Sequence, residues 1–257
     1  MPIFRPNETA GTGPSAGLWN RWRGANDPHN WTTIEEDFAS FDIAEGATGG
    51  DFQVQQDGTD AVAALQIDQV GGVVRLATVS TDNEEICLIS GGNVAGFFTP
   101  TVGKEFFFEA RVAYGQITAH SSFVGLCEEA TGAANMTLDA GTMGDLDYIG
   151  FQVLEADVDQ IEPVYHTASG TAVVVKADAQ TIVADTYYKL GIWGDGSAIH
   201  WLINGVEIAS ADVAHPVTYG TTGVPDGQEL AATVSLKAHT TAAKYVDVDF
   251  IKASAER

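Results

Sequence analysis

The chain has 257 residues, 45% of them hydrophobic, which suits one large all-β domain or two smaller ones and excludes disorder of the whole. Thirty-five Asp plus Glu stand against 12 Lys plus Arg, a net charge of −23, so the body repels a phosphate backbone and nucleic acid is not an expected partner. No run approaches the roughly 18–20 apolar residues of a membrane span, and Met1 is followed by Pro2 rather than by the apolar core of a signal peptide; a membrane is not an expected partner either.

Residues 1–30 read as an N-terminal arm, rich in Gly, Pro, Asn and Thr. The arm departs from the general acidity, since Arg5, Arg21 and Arg23 face only Glu8 and Asp27. "LWNRWR" (Leu18 to Arg23) interrupts it with two Trp and two Arg, side chains favoured as interface anchors. Two readings stand: Trp19 and Trp22 cover an exposed end of the domain's own core, or Arg5, Trp19, Arg21, Trp22 and Arg23 grip a partner.

Residues 31–257 read as one sandwich domain. "TTIEEDFASF" (Thr32 to Phe41) and "CEEATGAANM" (Cys127 to Met136) are candidate short helices, too short to cover a parallel sheet. The predicted strands are "VAALQI", "GVVRLATVS", "EICLIS", "EFFFEARVAYG", "SSFVGLCEE", "YIGFQVLE", "TAVVVKA", "YYKLGIW", "AIHWLIN", "VEIAS", "LAATVSLKA" and "YVDVDFIKA". Short runs separated by turn signals argue an antiparallel two-sheet sandwich rather than βαβ units. Cys87 and Cys127 fall in two of these strands; buried free thiols are the first reading and a disulfide the second.

Within "EFFFEARVAY", Phe106, Phe108, Ala110 and Val112 alternate with Phe107, Glu109, Arg111 and Ala113, so Glu109 and Arg111 share a face and are placed to meet charges on adjacent strands. "YYKLGIWGDGSAIHWLINGVEI" (Tyr187 to Ile208) contains two hairpin dipeptides, Asp195-Gly196 and Asn204-Gly205. A turn at the first pairs Ile192 with Ile199, Leu190 with Trp201 and Tyr188 with Ile203. A turn at the second pairs Ile203 with Val206 and Trp201 with Ile208. All of these side chains then lie on one inner face, leaving Trp193 and His200 on the other. In the closing strand Val246, Val248 and Phe250 are expected inward, Asp247 and Asp249 outward.

Other chemistry finds little footing. Six His show no close metal-ligand spacing, and no nucleophile elbow or phosphate-binding glycine loop is present. Asp145 and Asp147 are expected on one face of a strand, where their repulsion is relieved by solvent or by a cation; calcium is the ion that hard oxygen ligands suit.

Read together, "GKEFFFEARV", "SSFVGLCEE", "DYIGFQV", "YYKLGIWGDGSAIHWLINGVEIAS" and "YVDVDFIKASAER" resemble a concanavalin A-like lectin or glucanase jelly roll over roughly Phe38 to Arg257. More narrowly, an acidic Ala-, Gly- and Thr-rich chain of this layout resembles the jelly-roll structural proteins of tailed bacteriophages. That resemblance implies a non-enzymatic virion protein on the capsid surface or head, with the arm on the capsid shell or on neighbouring copies, and a homo-oligomer, for which a trimer would suit a decoration role. The lectin-like relatives imply the alternative, a glycan-binding module that stacks sugar on Tyr187, Trp193 or Tyr219 with His200, Asp145, Asp147 or Asn204 as polar partners. Active glucanases of this fold carry Glu-x-Asp-x-x-Glu, one carboxylate as nucleophile and another as acid. Here Asp145 and Asp147 fill its first two places and Gly150 its last, so hydrolysis by that mechanism is not expected.

Overall fold

Runs of aromatic and β-branched residues pair edge to edge into two antiparallel sheets packed face to face. The computed structural model describes residues 13–22, 28–38, 52–57, 60–66, 72–91, 96–128, 136–157, 159–209 and 212–257. The first strands are β1 (Trp31–Glu36), β2 (Phe52–Asp57), β3 (Val62–Leu65), β4 (Val74–Ala77), β5 (Glu85–Ser90), β6 (Glu105–Tyr114), β7 (His120–Glu128) and β8 (Tyr148–Val153). They are followed by β9 (Gln160–His166), β10 (Val173–Val174), β11 (Gln180–Thr181), β12 (Tyr187–Asp195), β13 (Ala198–Ile203), β14 (Val206–Glu207), β15 (Val217–Thr218), β16 (Leu230–Ala238) and β17 (Tyr245–Glu256).

The first sheet runs β14-β13-β12-β6-β17-β4-β3, with β1 on β17 and β15 on β13; the second runs β10-β9-β8-β7-β16-β5-β2, with β11 on β9. The result is a jelly-roll sandwich with an N-terminal extension. Inner faces alternate as the sequence requires: Phe106, Phe108, Ala110 and Val112 of β6 meet Val124 and Leu126 of β7 and Ile149, Phe151 and Val153 of β8 in one core. Each such side chain contributes about 1.5–3 kcal/mol through burial. A buried hydrogen bond crosses between the sheets where the Trp201 indole N–H donates to the Gly150 carbonyl at 3.0 Å.

Several expectations need correction. The stretch read as a helix from Thr32 begins as strand β1, because Ile34 buries in the core between the sheets, Trp31 buries on the outer face beside Phe107, and the segment pairs with the end of β17. "CEEATGAANM" starts inside β7, and its residues 129–135 lie outside the described residues. Strands β2 and β9 were not expected. Pro163 hides β9, yet its carbonyl accepts the Val175 N–H on the side away from β8, so the missing donor faces the broken edge.

The first hairpin turns at Gly196-Ser197, one residue later than expected: Gly196 has φ +82° and Asp195 Oδ1 accepts the Ser197 and Ala198 N–H groups. Ile192 therefore faces Trp201 and Leu190 faces Ile203. A two-residue slip leaves every side chain on its expected face, and Tyr188, Leu190, Ile192, Ile199, Trp201, Ile203 and Ile208 all join the core. Val206 does not; it is 70% exposed on the short strand β14. In β17 a bulge at Asp249 puts Phe250 opposite Arg111 on the outer face and turns Ile251, Ala253 and Ala255 inward.

Candidate functional site

On the outer face of the first sheet the chain lies across itself. A one-turn helix, Ala16–Trp19, brings Leu18, Trp19 and Trp22 onto Phe107, Trp31, Leu202 and Trp193. Glu109, 1% exposed, anchors this strap: its Oε2 accepts the Ser15 N–H and the Trp19 indole N–H, each at 2.8 Å. Burial raises the Glu109 carboxyl, and those donors pull it back. Lys189 adds a bond to the Gly13 carbonyl, and Lys252 lies 4.5 Å from the Trp19 ring. The covering role read for Trp19 and Trp22 is what the structure displays; Arg5 and Arg23 lie outside the described residues.

The aromatics considered for sugar stacking are engaged from within. Trp193 stacks against Phe107 on one neighbouring strand and His200 on the other, with the Arg21 guanidinium 4.2 Å from its ring. Buried His200 holds Glu207 Oε1 at 2.6 Å through Nδ1 and Asp195 Oδ2 at 3.4 Å through Nε2. Tyr187 shares this face under Arg111, 3.9 Å away, and burial first, then Asp247 and Asp249, push its hydroxyl to about 12. Arg111 is itself paired with Asp249 at 2.7 Å, as the alternation anticipated. Tyr219 does not join the set; it packs against the core, where its hydroxyl reaches the space left by Gly194.

On the outer face of the second sheet, β8 presents Tyr148, Gly150 and Gln152. The Phe123 ring covers the glycines, so a Cβ on Gly150 would come within 2.4 Å of Phe123 Cζ. Asp145 and Asp147 precede the strand rather than riding on it. Asp147 Oδ1 accepts the Ala168 N–H at 2.9 Å and Asp145 Oδ1 the Ser169 N–H at 2.6 Å, so both secure the turn after β9. Among the described residues no group of three or more His, Cys, Asp or Glu side chains is placed to hold a metal ion.

Residues 136–147 cross this face and are latched to it. The Thr137 N–H donates to Glu85 Oε1 at 3.1 Å, while Lys237 Nζ donates to the Thr137 carbonyl at 3.0 Å and reaches Asp139 at 2.6 Å. Burial pushes Glu85 up to about 7 against the pull of Lys237. Nearby, Ser121 Oγ and His239 Nε2 lie 2.8 Å apart, but Ser121 is fully buried and the pair is sealed from any substrate. Both cysteines are free and buried.

An open feature of the described residues lies where residues 96–104 meet the start of β1 and the end of β17. Residues 96–104 are held at their start by paired Phe98 and Leu230 backbones and at their end by the Gly103 N–H on the Gly196 carbonyl. Gly96 is required there, because a Cβ would meet the Glu229 and Leu230 backbone at 2.6 Å. Burying Phe98 leaves its neighbour Phe97 43% exposed. Phe97 forms one wall of a slot of about 280 Å³, with Thr32, Thr99, Thr101 and Lys104 around it and Ala255, Glu256 and Arg257 of the C-terminal strand completing it. The Arg257 Nε donates to Thr32 Oγ1 at 3.1 Å, and Glu256 Oε2 accepts the Glu105 N–H at 3.3 Å. The sequence reading missed this slot; its one signal is an adjacent Phe pair in a Gly/Thr/Pro stretch, where a strand buries only one of two neighbours.

No family model matches the sequence, and no curated protein matches it. Solved structures do. A protein of unknown function from Shewanella oneidensis MR-1 superimposes with TM-score 0.57 at 11% identity, covering 88% of this chain and 87% of that one. A Bacteroides ovatus mixed-linkage glucan GH16 protein in complex with its product gives TM-score 0.56 at 11% identity, over 86% and 99%. The Bacillus licheniformis β-glucanase gives 0.50 at 14%, over 86% and 97%. At such identities the likeness establishes the fold, a concanavalin A-like, glucanase-type sandwich. It corrects the expected kinship with bacteriophage structural proteins, and with it the virion location and the capsid-shell partner, since two of the three matches are to glucanase-type proteins and none is to a virion protein. The expectation of a non-enzymatic chain is corrected too, because the same architecture is that of a β-glucanase.

Proposed function

We propose that this chain recognises a glycan, with the slot beside Phe97 as the recognition site. The observation that carries the proposal is an exposed aromatic ring set among hydroxyl and charged side chains: Phe97 with Thr32, Thr99, Thr101 and Lys104. A pyranose offers an apolar C–H face to such a ring and hydroxyls to the surrounding polar groups. The volume of about 280 Å³ sits at the lower limit of ligand pockets, which run from roughly 300 to 1,000 Å³. The fold supports the reading, since the Bacteroides ovatus structure of the same architecture holds a glucan product.

The test is a glycan array followed by calorimetry on the full chain and on Phe97→Ala. Binding that weakens at least tenfold in the variant is expected, about 1.4 kcal/mol for loss of the stacking surface. Binding that Phe97→Ala leaves unchanged would place recognition elsewhere, and no binding to any glycan would end the proposal. Following reducing ends in the same mixtures measures turnover directly.

A further inference from the structure

The chain has nearly three acids for every base, and four of its ten described Lys and Arg side chains sit in ion pairs. Arg75 pairs with Asp247, Arg111 with Asp249, Lys237 with Asp139 and Lys252 with Glu35. Lys104 and Arg257 form no ion pair with a described residue, and both line the Phe97 slot. Arg257 uses Nε on Thr32 Oγ1, which leaves its two terminal nitrogens, and Lys104 has three donors. Glu256 brings a side-chain carboxylate to the lining, and its Oε2 accepts the Glu105 N–H.

We infer that the slot takes a single acidic sugar residue, a pyranose bearing a carboxylate or a sulfate, from the end of a glycan. The inference rests on the glycan reading above and names its ligand class. The pyranose lies on Phe97, and its anionic substituent meets the Lys104 ammonium and the free edge of the Arg257 guanidinium, a geometry that guanidinium suits through paired N–H donors. The small volume admits one ring and leaves the rest of the glycan outside.

Three probes test this on the full chain: an oligogalacturonide, a sulfated galactose oligosaccharide, and a neutral galactose oligosaccharide of equal length. Binding of at least one acidic probe is expected to exceed that of the neutral one at least tenfold. Lys104→Gln and Arg257→Gln should each weaken acidic binding about tenfold and weaken neutral binding by a smaller factor, narrowing the preference for the acidic probe. Raising NaCl from about 0.05 to about 0.5 M should weaken only acidic binding. Comparing the two acidic probes separates carboxylate from sulfate. Equal binding of neutral and acidic probes, lost together in Phe97→Ala, overturns the acidic assignment while the glycan reading stands. Acidic binding indifferent to both Gln variants overturns the assignment as well, and binding of no probe overturns both. Both substitutions lie at the surface, and thermal melts of the variants confirm that the sandwich is intact.

Discussion

Replacing Glu85 by Gln removes a fully buried carboxylate beneath the crossing segment while keeping an oxygen for the Thr137 N–H. Burial lifts the group from an ordinary 4.5 to about 7, with Lys237, the Thr137 N–H and the Cys87 thiol opposing the lift and Asp57 adding to it. At about 1.36 kcal/mol per pH unit the shift corresponds to about 3 kcal/mol. The folded state holds the proton more tightly than the unfolded chain, so this contribution is complete below about pH 4.5 and is lost as pH rises to about 7. Gln cannot ionise, and Lys237 keeps Asp139 and the Thr137 carbonyl. Urea unfolding of the two proteins from pH 4.5 to 8 should therefore show the stability of Glu85→Gln rising, relative to the parent, by about 3 kcal/mol across that window. The parent–variant difference cancels the other carboxylates that titrate over the same range. A difference that stays flat, or that falls with pH, would refute the account of the buried latch.

The strap should prove part of the folded unit. Trp19→Ala removes one of the donors to buried Glu109 and the ring packed on Phe107, and chemical denaturation should register a loss of about 2–4 kcal/mol; a loss below about 0.5 kcal/mol would show that the strap contributes nothing. Gly150→Ala drives a Cβ to 2.4 Å from the Phe123 ring and 2.7 Å from the Val124 carbonyl and should cost about 1–3 kcal/mol, of which adding Phe123→Leu should recover only the ring's part; no recovery would mean the ring is not an obstacle. Burial raises the Cys127 thiol well above its ordinary range, so mass spectrometry after iodoacetamide should find neither cysteine modified in the native protein and both modified in urea. Rapid native labelling of Cys127 would contradict its burial.

What the sequence disclosed was the part of the structure governed by local alternation. The period of two in "EFFFEARVAY" placed Phe106 and Phe108 inward and Arg111 outward, and the meander survived a misplaced turn because its slip was even. The same rule failed at Asp249, where one inserted residue reversed Phe250, and nothing in "KYVDVDFIKA" marks a bulge. Strand β1 was mistaken for a helix because six residues are too few to separate the two periods. The site was the least legible part. Thr32, the segment carrying Phe97 and Lys104, and Arg257 are far apart in the chain and meet only once the sandwich has closed. Trp193 and Tyr187, conspicuous as text, turned out to be neighbours of the protein's own arginines.

The roof that the strap makes over Phe107 and Trp193 bears on how this molecule is handled at the bench. A shortened version starting at Trp31 would bare an aromatic stripe and a carboxylate stripped of its Ser15 and Trp19 donors, on a sheet otherwise dressed in charge. Such a fragment would be prone to clumping, and its failure in solution would say nothing against the sandwich itself. Anyone cutting the chain for crystals or fusions should count those ten residues, 13–22, as building material rather than packaging.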